Sequence, residues 1–135
     1  MKQIKHFLLL FSIALFVYGC GSYATQNTST AKEDPVVIAN KSLEYEIIII
    51  DPGFTTYLNT VARPMNFYSK DFLATKNRFY VAAWNSRVRN PSRYNSSIYE
   101  NEIEYEPTID YGLEVNYKLF SYFKFAEQKY KMKLK

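Results

Sequence analysis

The stretch LEYEIIIIDPG, residues 43–53, sets the fold that we expect for this chain. Its apolar side chains at odd-numbered positions share one face of an extended strand, with Glu44 and Glu46 on the other face. The isoleucines at 47–50 favour a strand, because β-branched side chains pack well on a pleated sheet. Residues 51–53 then end the strand, and Asp51 is expected to cap a short helix that stops before Pro64.

Two longer helices and a second strand follow. Ser69 predicts the start of a helix to about Arg89, because residues spaced by three and four form one helical face there; they are Phe72, Leu73, Lys76, Tyr80, Ala83, Trp84 and Arg87. Residues 98–106 alternate between apolar and acidic side chains, which predicts a half-buried strand. The last segment alternates briefly like a strand, but its longer apolar stripe predicts a helix from about Asp110 to Lys131. The order strand, helix, helix, strand, helix predicts a small two-layer α+β domain.

The N-terminal segment has the three parts of an export signal. Lys2 and Lys5 form its positive start, residues 7–18 are apolar apart from one serine, and Gly19 precedes Cys20. A helix over residues 7–18 would extend about 18 Å, which is too short to span a bilayer core of about 30 Å as a permanent transmembrane helix. The sequence FVYGC at residues 16–20 resembles the lipobox of bacterial lipoproteins, which are cleaved just before a lipid-modified cysteine. We therefore predict a signal peptide over residues 1–19 and lipidation of Cys20; the alternative is an ordinary signal peptide with an unmodified cysteine.

The remainder divides into a tether and one domain. Residues 20–40 are mostly polar and lack hydrophobic periodicity, which predicts a lipidated N-terminus and a disordered tether. A single globular α+β domain is expected over residues 41–135. The processed chain would be exported and anchored by lipid to the cell envelope, as a periplasmic or outer-membrane-associated protein. Its net charge falls from +4 to +2 because Lys2 and Lys5 leave with the signal, which argues against a nucleic-acid partner.

Processing also removes the side chains of nucleophilic catalysis. His6 is the single histidine and is cleaved away, while Cys20 is the single cysteine and carries the lipid. Catalytic triads, Cys-His pairs and zinc sites built on these residues are then excluded. The acid and base of a glycan hydrolase remain conceivable on Asp51, Asp110 and nearby glutamates. Both aspartates lie at predicted helix starts, where capping explains them without catalysis.

Glutamates recur on the outward side of both predicted strands. They are Glu44 and Glu46 on the first strand and Glu100, Glu102, Glu104 and Glu106 on the second. If the strands pair, like charges crowd one face, and a cation such as calcium could relieve the repulsion. A solvated acidic face is the reading that we favour, because the sequence has no contiguous calcium-loop spacing. We predict no metal site and no cofactor.

Three segments together resemble a family of uncharacterised bacterial lipoproteins with a domain of unknown function. They are YEIIIIDPGF at 45–54, WNSR at 84–87 and DYGLEVNY at 110–117. The resemblance covers most of residues 43–133 and implies anchoring, but no activity and no catalytic residues. Possible interaction residues within these segments are Trp84, Asn85, Arg87, Asp110, Tyr111 and Asn116. Trp84 is expected on the inner face of its helix, with Arg87 paired to a carboxylate of the acidic strand.

We therefore expect a membrane-anchored protein without catalytic activity, acting as a binding or accessory module of the cell envelope. Its membrane partner is engaged through lipidated Cys20, and its other partner is an envelope protein or glycan. A carboxylate-based hydrolase of envelope glycans is the alternative.

Overall fold

The computed structural model describes residues 34–134, which form two strands, three α-helices and two short 3₁₀ turns. The elements are β1 (Val36–Asn40), a 3₁₀ turn (Lys41–Leu43), β2 (Tyr45–Ile49), α1 (Phe54–Thr60), a second 3₁₀ turn (Met65–Phe67), α2 (Lys70–Val88) and α3 (Gly112–Lys129). The α+β class is confirmed, whereas the predicted element order is wrong. The predicted signal peptide, Cys20 and most of the predicted tether lie outside the described residues.

β1 and β2 form an antiparallel hairpin in which Val36 faces Ile49 and Asn40 faces Tyr45. β2 confirms the strand predicted from the isoleucines. β1 lies in residues that the sequence assigned to the tether, so the ordered structure begins earlier than predicted. Ile38 is the reason that this short segment folds, because its side chain is fully buried in the core.

The short helix α1 confirms the prediction for the residues after β2, but its start is built differently. Gly53 is the N-cap residue and has a φ of 96°, a conformation that side chains with a Cβ rarely adopt. Asp51 was expected to cap this helix through its side chain. Its carboxylate instead binds Lys129 and Tyr130 near the end of α3.

Helix α2 begins as predicted, with the Ser69 hydroxyl accepting a hydrogen bond of 3.2 Å from the backbone N–H of Phe72. The buried stripe differs from the predicted one. It consists of Leu73, Asn77, Val81 and Trp84, while Phe72 is partly exposed. This stripe packs on α3.

Helix α3 resolves the ambiguous C-terminal segment as a helix and supplies more core residues than any other described element. Leu119, Phe123 and Ala126 are fully buried, and the helix contacts α1, α2 and β1. Burying a leucine or phenylalanine contributes about 1.5–3 kcal/mol to stability, so α3 is the main source of hydrophobic stabilisation.

The predicted strand over residues 98–106 is wrong: within residues 34–134 the sheet has two strands, and this segment is irregular. Side chains satisfy its backbone in place of a neighbouring strand. Asn85 donates to the carbonyl of Ile103 and accepts from its N–H, both at 2.9 Å. The alternation nevertheless predicts burial correctly, since Tyr99, Ile103 and Tyr105 pack towards the core.

Candidate functional site

A groove of about 690 Å³ lies between β2 and the irregular segment at residues 97–104. All of β2 lines it, and no residue of β1 does. Apolar side chains from the helices contribute to the lining; these are Trp84, Leu119 and Tyr122. The volume is within the range of about 300–1,000 Å³ that is typical of ligand sites. We refer to it as the acidic groove, because of the charges described next.

Six acidic side chains and a single lysine line the groove. The acidic residues are Glu46 in β2, Glu44 just before it and Asp51 just after it, with Glu100, Glu102 and Glu104 on the facing segment. This facing segment, residues 100–104, is called the acidic rim below. The groove is therefore strongly negative although the whole chain carries a net charge of +4.

Two of these acids are engaged by cations of the chain. Arg89 binds Glu102 through two hydrogen bonds of 2.8 and 2.7 Å, which hold the pKa of that carboxyl below its usual value. Lys129 forms an ion pair with the nearly buried Asp51. Among the described residues, Glu46 and Glu104 form no ion pair and are exposed, so their charges are available to a partner.

Side chains from α2 and β2 hold the acidic rim in place. The Trp84 indole N–H donates to the carbonyl of Asn101 at 3.0 Å, and Asn85 makes its two bonds to Ile103. The Tyr45 hydroxyl crosses from β2 and donates to the carbonyl of Glu104 at 2.7 Å. These bonds satisfy four of the rim's backbone groups, and the rim stands beside β2 without pairing with it.

One end of the groove is closed by contacts between the end of β2 and the end of α3. The hydroxyl of Tyr130 donates to Asp51 at 2.9 Å, and Lys129 also donates to the carbonyl of Pro52 at 2.8 Å. Burial and the hydrogen bond to Asp51 raise the pKa of Tyr130 to about 12. This tyrosine therefore stays neutral near pH 7 and remains a hydrogen-bond donor.

Of the predicted interaction residues, Trp84 lines the groove and Asn85 holds its rim. Trp84 is 4% exposed, so it acts from the floor of the groove and is part of the core, as its helical position predicted. The predicted pairing of Arg87 with a carboxylate is wrong. Its guanidinium donates to the hydroxyl of Tyr99 at 2.6 Å and to the carbonyl of Lys133, while Arg89 makes the ion pair with the rim.

The other three predicted residues do not line the groove. Asp110 pairs with Lys70 and accepts a hydrogen bond from the N–H of Gly112, and both contacts lower its pKa. The buried Tyr111 accepts a hydrogen bond of 2.8 Å from the N–H of Glu106. These contacts fix the start of α3, and a direct role in binding stays a prediction.

Asn116 belongs to a buried polar cluster between α2 and α3. Asn77 donates to its carbonyl at 2.9 Å and to its side-chain oxygen at 3.1 Å, and Tyr105 donates to the same side-chain oxygen at 2.8 Å. Asn116 in turn donates to the carbonyl of Gly112 at 2.8 Å. Within residues 34–134 the buried side-chain oxygen of Asn77 has no hydrogen-bond partner, but the amide of Asn77 and the side chains of Asn116 and Tyr105 bond one another, and these bonds fix how the two helices pack.

The sequence pointed to the glutamates but not to the groove. They were expected to share one face of a paired sheet, whereas Glu46 and Glu104 belong to two segments separated by the groove. Among residues 34–134, no group of three or more histidine, cysteine, aspartate or glutamate side chains is placed to hold a metal ion. Over the same range, no helix is long and apolar enough to cross a membrane.

Comparison with known families assigns the chain to a family whose function is unknown. The family model, described as a family of unknown function (DUF6146), matches residues 7–135, so the chain belongs to this family. No curated protein and no solved structure matches the chain. The acidic groove is therefore the basis for a functional proposal.

Proposed function

We infer that this protein is a membrane-anchored binding module of the cell envelope, without catalytic activity, that captures a partner in the acidic groove. The observation that carries this proposal is the groove itself. It combines an apolar floor containing Trp84 with the exposed charges of Glu46 and Glu104. An apolar lining with a few placed polar groups is the usual composition of a binding site.

The N-terminal sequence supports the anchor. A positively charged start, an apolar run at residues 7–18 and the lipobox-like residues before Cys20 are what a lipoprotein signal requires. A diacylglyceryl cysteine would supply two acyl chains, which is the number that stable membrane attachment needs. The anchor would keep the groove near the membrane surface and raise its effective concentration for partners there.

The residue inventory supports a role in binding. The sequence has no histidine after His6 and no cysteine after Cys20, so residues 34–134 contain neither of these catalytic side chains. At one end of the groove, Asp51 accepts hydrogen bonds from Tyr130 and Lys129, contacts that hold it in a fixed structural role. The groove therefore offers charged and apolar surface, which is suited to binding a partner.

The test is affinity purification of the full-length protein from detergent-solubilised membranes. We expect a partner to co-purify with the wild type and to be lost from a triple variant with Glu46→Gln, Glu100→Gln and Glu104→Gln. Glu114→Gln is the matched control, because Glu114 is an exposed glutamate of α3 outside the groove. Equal recovery of the partner with the triple variant would contradict the proposed site.

The anchor is tested separately by fractionation. Wild-type protein is expected in the membrane fraction, and Cys20→Ala is expected in the soluble fraction because it cannot receive the lipid. If both proteins remain in the membrane fraction after a high-salt wash, the proposed lipid anchor is wrong.

A hydrolase of envelope glycans is the second candidate, and the concentration of carboxylates in one groove is the observation that favours it. Glu102 and Asp51 are held by Arg89 and Lys129, so the acid and base would have to come from the other acidic residues of the groove, which are Glu44, Glu46, Glu100 and Glu104. Release of reducing sugars from purified envelope glycan by the wild type, and its loss in Glu100→Gln, would favour this candidate. No release would exclude it for that substrate.

A further inference from the structure

β2 has one edge that no described strand covers. Its only strand partner within residues 34–134 is β1, and the register from Val36–Ile49 to Asn40–Tyr45 places β1 along one edge. All of β2 lines the groove and none of β1 does, so the groove lies along the opposite edge. An uncovered strand edge presents backbone N–H and C=O groups that can pair with another extended chain.

The acidic rim leaves this edge accessible. It lies across the groove from β2, and three of its carbonyls and the N–H of Ile103 are bonded to the side chains of Trp84, Asn85 and Tyr45. The intervening volume of about 690 Å³ extends along the five residues of β2, which span about 17 Å as an antiparallel strand. These dimensions fit an extended peptide of about five residues.

The charges select the chemistry of the occupant. An added strand would lie between Glu46 on one side and Glu100 and Glu104 on the other, with apolar side chains such as Ile49 and Trp84 below. Because successive side chains of a strand alternate in direction, a matching segment alternates basic and apolar residues. A second copy of β2 would bring its own Glu46 into the same negative field, so self-pairing is disfavoured.

We propose that the acidic groove binds an extended, basic segment of a partner protein, which pairs with the uncovered edge of β2 as a third strand. This proposal rests on the proposed function, because it names the partner chemistry of the same groove. Backbone hydrogen bonds to β2 would supply affinity, and the glutamates would select basic side chains. Because salt screens ion pairs between the basic side chains and the glutamates, the association should weaken as the salt concentration rises.

The experiment uses the full-length protein in detergent and the fluorescence of Trp84, the single tryptophan of the chain, which lines the groove. The probe is a capped peptide of alternating lysine and valine, six residues long. Two control peptides keep its length: one replaces each lysine by glutamate, and the other has N-methylated backbone amides that cannot donate to β2. Hydrogen exchange of the β2 amides is measured in the same samples.

The lysine peptide is expected to change the Trp84 emission and to slow exchange of the β2 amides, whereas the glutamate peptide does neither. The variant with Glu46→Gln, Glu100→Gln and Glu104→Gln should bind about tenfold more weakly, since three exposed ion pairs are removed. The N-methylated peptide should also lose at least about tenfold, because its backbone cannot complete the ladder. Glu114→Gln should bind like the wild type.

The outcomes separate this inference from the proposed function. Equal binding of the N-methylated peptide would overturn strand addition. Absence of lysine-peptide binding, with a membrane partner still captured through the three glutamates, would overturn the basic-strand proposal and leave the binding module standing. If neither the peptide nor a partner depends on these glutamates, both proposals fail.

Discussion

Substituting Asn85 by alanine tests whether this side chain holds the acidic rim. Asn85 makes two hydrogen bonds of 2.9 Å to the backbone of Ile103, and both residues are partly buried. Each such bond contributes about 1 kcal/mol net, so Asn85→Ala should lower the free energy of unfolding by about 2 kcal/mol. The rim should also loosen at Ile103 while α2 and α3 remain folded, because only the bonds from Trp84 to Asn101 and from Tyr45 to Glu104 would still hold its backbone.

The assay combines urea unfolding with amide hydrogen exchange. The N–H of Ile103 is protected by the Asn85 side chain, so its exchange should accelerate in Asn85→Ala well before global unfolding. Asn66→Ala is the control, because Asn66 is exposed in the second 3₁₀ turn and should change stability by less than about 0.5 kcal/mol. Unchanged exchange at Ile103, together with wild-type stability, would refute the role given to Asn85.

Three further predictions concern the scaffold. Asn116→Leu removes the side-chain oxygen to which Asn77 and Tyr105 donate, at a cost of about 1–3 kcal/mol for each buried group left unpaired. Urea unfolding should therefore show a lower free energy of unfolding, and adding Asn77→Leu should restore part of it. A double variant less stable than Asn116→Leu would contradict this. Gly53→Ala should destabilise by about 1–2 kcal/mol because φ is 96°, although the added methyl meets only ordinary contacts, and an unchanged urea midpoint would be the contrary result. Burial, with Tyr111 as the next contribution, raises the pKa of Tyr105 to about 12 from an ordinary value of about 10. The folded state then holds this proton more tightly than the unfolded state, so its contribution to stability is constant below pH 10 and is lost between about pH 10 and 12. Alkaline unfolding followed by tyrosinate absorbance measures this loss. Ionisation of every tyrosine at pH 10 in the folded protein would contradict it.

The helices could be predicted because their signals are local. Ser69 caps α2 as expected, and the apolar stripe of the C-terminal segment identifies α3 despite a short alternating stretch. The exact buried face of α2 was predicted less well. It includes Asn77, whose partner Asn116 lies 39 positions further along the chain, and no local pattern reveals such a pair.

The strands show where local pattern is insufficient. Alternation over residues 98–106 marks correctly which side chains face the core, but alternation requires only one buried side and not a hydrogen-bonded neighbour. In this segment the backbone bonds to side chains instead of to a neighbouring strand, chiefly those of Asn85 and Trp84. For β1 the error is the reverse: the sequence assigned its residues to the tether, whereas pairing with β2 makes them a strand.

The candidate site was predictable in its charges and not in its shape. The glutamates near residues 44–46 and 100–104 stood out in the sequence, which placed them on the outward side of two strands. The protein separates the two acidic segments by a groove, which depends on long-range bonds such as that from Tyr45 to Glu104. The anchor at Cys20 remains a prediction.

Site-specific photo-crosslinking in intact cells tests whether the acidic groove is where this protein binds its partner. A photoreactive residue is placed at Glu100 in the rim, at Ile48 of β2, and at Glu114 of α3 as the control outside the groove. We expect the same crosslinked product from positions 100 and 48 and none from position 114. Crosslinking from position 114 alone, or equal yields at all three positions, would contradict it.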